Sequence, residues 1–564
     1  MKVLKFGGTS VGSPEAIGRI IEILKGRDRR GKVPAVVVSA LSGVTDELVG
    51  MAREAAAHGG GLAPHGAALF GGRGAKAGGA SGRGRGAGRG AGSGPARGRI
   101  EALAARHRDA AARLLRAGER REAFAEIDAL LGELSRVLEG AALLGELSPR
   151  TLDLAMSFGE RLSAGLVARA LCSAGVRAEF LDARLLVKAS GPFGGGRCAF
   201  AETAESISAF FGARKRPLQV VTGFIASTAE GQTITLGRGG SDLTAAVFAA
   251  ALGADEAEIW TDVDGILTAD PRLVKNAFRI EQMLYAEAME ISHFGARVLF
   301  PPTVRPALER GIPISIRNTF NPSCPGTRIV SRAAPSEFPI KGISSISSVA
   351  LVRVQGTGMM GVAGISARIF GALARRKISV ILITQGSSEY SVCMAVPPGE
   401  AASAAQALGE EFAREIGDGA IERPAAQSGL SVIAVVGSGM KSSSGVSGKF
   451  FHALGRNGVN VVAIAQGSSE SSISAVISAQ DEAKALNAAH EAFFRSARRS
   501  VNLFLVGAGL IGGTLLEQIA AHRKALADGD QIRVNLIGAA NDRLMAFDPA
   551  GLDPLRAKAL LGGG

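Results

Sequence analysis

The chain has 564 residues, 46% of them hydrophobic and 20% charged, with four cysteines and a formal net charge of +13. This length allows three or more domains with ample core, and the composition excludes collagen-like, disulfide-stapled and wholly disordered classes. Seven basic residues (Arg73, Lys76, Arg83, Arg85, Arg89, Arg97 and Arg99) fall in a tract without acids, so the charge balance alone does not call for a nucleic-acid partner.

In chain order, residues 3–6 are a short strand running into Gly7-Gly8-Thr9-Ser10-Val11-Gly12, and Ser13-Pro14-Glu15 opens a helix with an N-cap and proline at the first position. Strand, glycine loop and helix together make a phosphate cradle, although the spacing is not that of a P-loop. Lys5, near the strand's end, is either a point charge within reach of a phosphoryl group or a solvated strand lysine. Residues 34–38 form a second apolar strand. Ser39 and Thr45 follow its carboxyl end, the side on which open α/β sheets bind ligands, and Thr45 can equally serve as a helix cap. Residues 59–99 lose all periodicity and become Gly, Ala, Arg and Ser, which predicts a disordered insertion; no aromatic beyond Phe70 is interleaved to stack on bases. Helical patterning resumes at Ile100.

Leu152, Leu154, Phe158, Leu162, Leu166 and Ala170 mark an apolar helical face, with Ser157, Glu160, Arg161 and Arg169 mostly off it. Short apolar runs at 176–181, 218–224, 258–262 and 312–317 alternate with helical segments, predicting a largely parallel three-layer α/β domain over 1–330. Within it, Leu236-Gly237-Arg238-Gly239-Gly240-Ser241-Asp242 leads into a small-residue helix. Its amides and the Arg238 fork suit an anion, either phosphate or carboxylate. Thr261 and Asp262 end a strand, Arg272 lies a short way beyond, and Asp264 and Asp270 read as turn residues.

Gly356-Thr357-Gly358-Met359 recurs as Gly437-Ser438-Gly439-Met440, and Gln385-Gly386-Ser387-Ser388-Glu389 as Gln466-Gly467-Ser468-Ser469-Glu470, each 81 positions on. Two α+β modules follow from this, over 340–425 and 426–498, each with a glutamine (Gln385, Gln466) able to offer an amide to a small polar effector. A strand at 501–506 then meets Gly507-Ala508-Gly509-Leu510-Ile511-Gly512, a dinucleotide-binding turn opening an incomplete Rossmann βαβ unit over 499–564. Cys172, Cys198, Cys324 and Cys393 are scattered without metal spacing and read as reduced thiols of a cytoplasmic protein. No signal peptide and no membrane-spanning run are expected.

Lys5-Phe6-Gly7-Gly8-Thr9-Ser10, Ser157-Phe158-Gly159-Glu160-Arg161-Leu162, the Arg238 loop, Trp260-Thr261-Asp262-Val263-Asp264-Gly265 and Ala269-Asp270-Pro271-Arg272, followed by the duplicated modules, resemble the aspartate kinases with paired ACT domains. Val506-Gly507-Ala508-Gly509 resembles the start of the dehydrogenase half of bifunctional aspartokinase/homoserine dehydrogenases. The resemblance implies an amino-acid-kinase fold, ATP with Mg²⁺, L-aspartate as substrate, threonine as effector, a homo-oligomer through the ACT domains and no nucleic-acid or membrane partner. By the same resemblance Lys5 and Asp242 are catalytic. Ser39, Thr45, Glu160, Arg238 and Ser241 hold aspartate, and Lys5, Gly7, Gly8, Thr9, Ser10, Thr261, Asp262, Arg272 and Arg297 hold ATP. Gln385 and Gln466 bind the effector, and Gly507, Gly509 and Gly512 form an NADP half-site without dehydrogenase activity. Arg297 replaces the family's lysine and Leu267 a common aromatic. A catalytically inactive amino-acid sensor is the alternative, motivated by the Arg297 change and the Gly/Arg tract of residues 59–99.

Overall fold

Lys2–Phe6, Ala35–Val38 and Leu218–Thr222 are apolar runs whose residues are almost all buried on both faces, the signature of central parallel strands. In the computed structural model, which describes residues 1–28, 33–58, 95–213, 217–295, 300–334, 336–386, 388–467, 469–494, 499–528 and 532–562, they lie side by side in an eight-stranded sheet. The order is Gln282–Leu284, Thr327–Val330, Ile314–Asn318, Glu256–Thr261, Lys2–Phe6, Ala35–Val38, Leu218–Thr222, Ala178–Leu181. All neighbours are parallel except Ile314–Asn318 with Thr327–Val330, so the sheet is mixed at one edge. Side-chain alternation splits the core. Val3, Val37 and Val221 face helix Gly240–Ala251, while Leu4, Phe6, Val36 and Val38 face helices Pro14–Asp28 and Pro149–Ser173. The result is the predicted three layers.

Two expectations are corrected here. Helix Pro95–Leu114 begins inside the span read as disordered, and Arg99 is ion-paired to Glu54 at 2.7 Å; residues 59–94 lie outside the described residues. In helix Pro149–Ser173, capped by the Ser148 hydroxyl, Ser157 and Glu160 are buried although the apolar stripe leaves them off it. The helix is enclosed on more than one side, so a single hydrophobic face understates its core.

Each 81-residue repeat gives strand, short 3₁₀ turn, helix, strand, turn and strand, plus a second helix, Ala401–Glu411 in one and Glu482–Phe494 in the other. All their strands join one six-stranded sheet, in which Gly342–Gln355 and Ala425–Val436 are the central pair. Residues 342–346 pair with 432–436, and residues 349–353 with 425–430. A boundary at 425/426 therefore falls at the first residue of a strand that serves both modules. Farther on, Arg499–Val506 and Ile532–Ala540 pair in parallel through helix Leu510–Asp528, and a third strand, Met545–Leu552, adds antiparallel.

The three α/β layers and the repeats meet around helix Tyr285–His293. Buried Glu287 caps the helix through Leu284 N–H and also accepts from the Ser438 amide (2.8 Å) and hydroxyl (2.7 Å) of the second repeat's glycine turn. At the other end, the Ser344 hydroxyl donates to the Phe294 carbonyl at 2.9 Å. Nearby, Thr268 contacts His490 at 2.9 Å, and Phe278, Phe338, His490 and Phe494 form an aromatic cluster. Glu287→Ala removes three hydrogen bonds to a buried carboxylate, and a loss of about 2–3 kcal/mol is expected. Urea unfolding should show the loss, with hydrogen exchange rising first at residues 437–442; an unchanged midpoint and unchanged exchange would refute the clamp.

Candidate active site

Lys5 is next to last in its strand, beside the end of Glu256–Thr261. The Gly7 amide donates to the Trp260 carbonyl at 3.1 Å, after which the chain turns, leaving Gly8 half-buried and Thr9 exposed. Lys5 Nζ lies 2.6 Å from Asp242 Oδ1, and both side chains are largely buried. Asp242 is in the first turn of helix Gly240–Ala251, where the helix N-terminus favours an anion. The turn before it has no room for side chains. Gly239 has φ 71°, and a Cβ there would stand 2.8 Å from Thr303, while one on Gly240 would stand 2.8 Å from Phe224.

Glu160 comes from the opposite wall. Gly159 lets its helix close on the loop after Ala35–Val38, where an added Cβ would sit 2.9 Å from that of Ala40. The Ala40 amide donates to Glu160 Oε1 at 3.2 Å, and Oε2 has no partner among the described residues. Burial, partly offset by that amide, pushes the carboxyl up to about 8. Arg238 is exposed on the facing loop, its guanidinium 5.4 Å from the Phe300 ring centroid.

These residues enclose two cavities. One, of about 470 Å³, is lined by Lys5, Ser39, Thr45, Glu160, Arg238, Ser241 and Asp242. The other, of about 450 Å³, is lined by Lys5, Gly7, Gly8, Thr9, Ser39, Thr45, Asp242, Thr261 and Asp262. They share Lys5, Ser39, Thr45 and Asp242. The first therefore offers a cation and a carboxyl with one unpaired oxygen, the second glycine amides and strand ends, and both are lined by the Lys5–Asp242 pair.

Two predicted residues are not brought to the cavities. Ser10 is fully buried, its hydroxyl 2.7 Å from Thr319 Oγ1 and bonded to the Trp260 carbonyl, so it fastens the glycine loop. Arg272 is exposed and ion-paired with Asp270 at 2.6 Å. Arg297 lies outside the described residues. Gln385 and Gln466 are exposed at the ends of Leu382–Gln385 and Val461–Gln466, the edge strands of the six-stranded sheet. Gly507 has φ 95°, and a Cβ on Gly512 would lie 1.9 Å from the Gly507 carbonyl oxygen, so the turn requires glycine at 512.

Asp46, Met156, Gly194, Phe224 and Thr235 also line the cavities and were not identified from the sequence. Phe224 carried no signal, being a non-glycine residue at φ 67°. Among the described residues no three His, Cys, Asp or Glu side chains converge to hold a metal ion, and no helix is long and apolar enough to cross a membrane.

The amino acid kinase family matches residues 1–318, and the ACT domain family matches 352–412 and 433–493, offset by the repeat period. The chain is 38% identical to the bifunctional aspartokinase/homoserine dehydrogenase of Haemophilus influenzae over 76% of its length and 52% of that protein. It is 34% identical to bifunctional aspartokinase/homoserine dehydrogenase 1, chloroplastic, of Arabidopsis thaliana over 99% of its length and 58% of that protein. The chain thus spans little more than half of these curated relatives. Among solved structures it resembles E. coli aspartokinase III in complex with aspartate and ADP, at TM-score 0.68 and 29% identity, covering 87% of this chain and 99% of that one. The same enzyme with lysine and aspartate gives 0.67 and 30%, over 88% of this chain and 99% of that one.

Glu160 sets a pH dependence. The folded chain keeps a proton that the unfolded chain releases above about 4.5, so the empty site loses stability as pH rises from about 4.5 to about 8. Glu160→Gln cannot titrate and should remove this component, at most about 1.4 kcal/mol per pH unit. Urea unfolding at pH 5 and pH 8 measures it; equal pH slopes for parent and variant would refute the assignment.

Proposed function

Because the chain belongs to the amino acid kinase family, as an aspartate kinase homologue with paired ACT domains, we propose that it transfers the γ-phosphoryl group of ATP to the β-carboxylate of L-aspartate. The products are 4-phospho-L-aspartate and ADP. The observation that carries this reading is the cavity holding Arg238 and Glu160, whose Oε2 is unpaired among the described residues, joined at Lys5 and Asp242 to a second cavity lined by a glycine loop. An α-amino acid needs one cation for its carboxylate and one anion for its ammonium, and Arg238 and Glu160 are that pair. The aspartate and ADP named for E. coli aspartokinase III support placing the same two ligand classes here.

The nucleophile is already a carboxylate, so transfer needs no base to remove a proton. A carboxylate oxygen forms the new P–O bond as the bond to the β-phosphate oxygen breaks, and the electron pair leaves with ADP. The protein's work is placement and charge. Lys5, held by Asp242, meets the transferring group, and Gly8 and Thr9 of the first loop, with Thr261 and Asp262, line the nucleotide side. Ser39, Thr45 and Ser241 flank the point of transfer. Mg²⁺ would neutralise phosphate charge here, and Asp46, Asp242 and Asp262, which line the nucleotide-side cavity, are the carboxylates that would hold it. Arrival of an ammonium ion beside Glu160 ionises its carboxyl and releases a proton.

Regulation follows the same reading. Gln385 and Gln466 end equivalent strands in the two ACT modules and would each hold an amino-acid effector, with threonine the choice for a relative of the bifunctional enzymes. The lysine complex of E. coli aspartokinase III supports an amino acid in this role. The exposed edge strands bearing them are the proposed contact between copies of the chain. The Gly507, Gly509 and Gly512 turn suits a dinucleotide pyrophosphate, with no reaction assigned to it.

Hydroxylamine trapping of the acyl phosphate should give aspartyl hydroxamate in the presence of ATP; none would favour a sensor. Arg238→Ala should raise the KM for aspartate at least about thirtyfold and leave that for ATP within about twofold, and equal kinetics in variant and parent would exclude Arg238 from the clamp. Threonine, lysine and methionine added singly to the assay should show inhibition by threonine, and inhibition by lysine alone would overturn that effector assignment.

A further inference from the structure

Asp153 is a buried carboxylate that the mechanism leaves unused. Asp153 lies on the same helix as Glu160, seven residues earlier and so about two turns away on the same face. It is fully buried, and its ligands are all neutral donors. Oδ2 accepts from the Gly194 amide and the Thr235 amide, both at 2.9 Å, and Oδ1 from the Thr235 hydroxyl at 2.9 Å. A carboxylate in the core without a cation is costly, and a position that needed only volume would be apolar.

What Asp153 holds is informative. Gly194 and Thr235 both line the Arg238 cavity. They belong to separate segments: Gly194, at φ 86°, sits in the loop between Ala189–Ser190 and Arg197–Cys198, and Thr235 ends strand Thr233–Thr235, three residues before Arg238. The Gly196 amide donates to the Thr235 carbonyl at 2.8 Å, and a Cβ on Gly237 would lie 3.5 Å from the Gly194 carbonyl oxygen. The two segments are thus layered on each other and pinned to one helix.

We infer that Asp153 is the positioning residue that fixes the distance between the Glu160 end and the Arg238 end of the cavity, and thereby selects aspartate over its one-carbon-longer homologue, glutamate. The inference rests on the functional reading above. Because Asp153 and Glu160 share a helix, the ammonium anchor and the tether of the carboxylate clamp move as one body. The side chain touches neither ligand and acts only through the backbone of its neighbours.

The test uses the full chain with Asp153→Ala, Asp153→Asn and Thr235→Val, measuring KM for aspartate and ATP, the aspartate to glutamate ratio of kcat/KM, and aspartate binding by calorimetry. Asp153→Ala should raise the aspartate KM about tenfold, narrow the aspartate to glutamate ratio by about as much, and leave the ATP KM within about twofold. Asparagine can accept both amides and donate to the Thr235 hydroxyl, so Asp153→Asn should stay within about threefold of the parent. Thr235→Val removes one of the three bonds and should fall between them, which keeps the inference testable if the alanine variant does not fold. Unchanged aspartate KM and unchanged discrimination in Asp153→Ala, or in Thr235→Val where only that variant folds, overturn the inference. So does a parallel rise in both KM values, the mark of general loosening, or an asparagine variant as impaired as alanine. A parent chain that binds no aspartate overturns the functional reading and this inference together, whereas a parent that binds it as tightly as Asp153→Ala overturns the inference alone.

Discussion

The Lys5 ammonium is held 2.6 Å from the Asp242 carboxylate at the point where two cavities touch. A pair this far from solvent gains little net stability, since desolvation offsets much of the attraction and apolar residues of similar size would pack as well. What it provides is placement. It ties the carboxyl end of a central strand to the amino end of a helix, two features whose backbone already favours anions, and so fixes where negative charge can gather. The glycines at 239 and 240 and the close approach at Gly159 all shape the chain around that point.

Charge around the pair is arranged as opposites on facing walls. The exposed guanidinium on one side is free to meet solvent. The carboxyl on the other is kept protonated near neutrality because it is enclosed with one amide partner. A site of this kind avoids holding an uncompensated buried charge while empty, and becomes ionic only when a cationic group enters.

Much of this was legible in the residues, and for physical reasons. Glycine loops after strands and before helices occur where backbone must approach a ligand, so the Gly7 and Gly239 turns could be placed before any fold was known. The three layers followed from alternating apolar runs. What could not be read was the direction of single side chains. Arg272 looked like a ligand from its distance along the chain, but Asp270, two residues earlier in the same turn, captures its fork. Ser10 sits in a phosphate-type loop yet turns inward to Thr319, a residue more than 300 positions away. Glu160 and Asp153 fell outside the apolar stripe of their helix, and only the approach of two loops from other parts of the chain buries them. Local pattern reports backbone shape well, and it is silent on contacts made by distant segments.

The six-stranded sheet of the ACT repeats is not two modules in a row. Residues 342–346 and 432–436 belong with the second repeat, while 349–353 and 425–430, on the same two strands, belong with the first. One copy is therefore nested inside the other, like a clause in parentheses. A stop between the repeats strips a central strand from both, so shortening the chain from its carboxyl end leaves neither module whole. Only an internal excision that rejoins the two long strands leaves one complete, and in every other respect the two copies stand or fall as one unit.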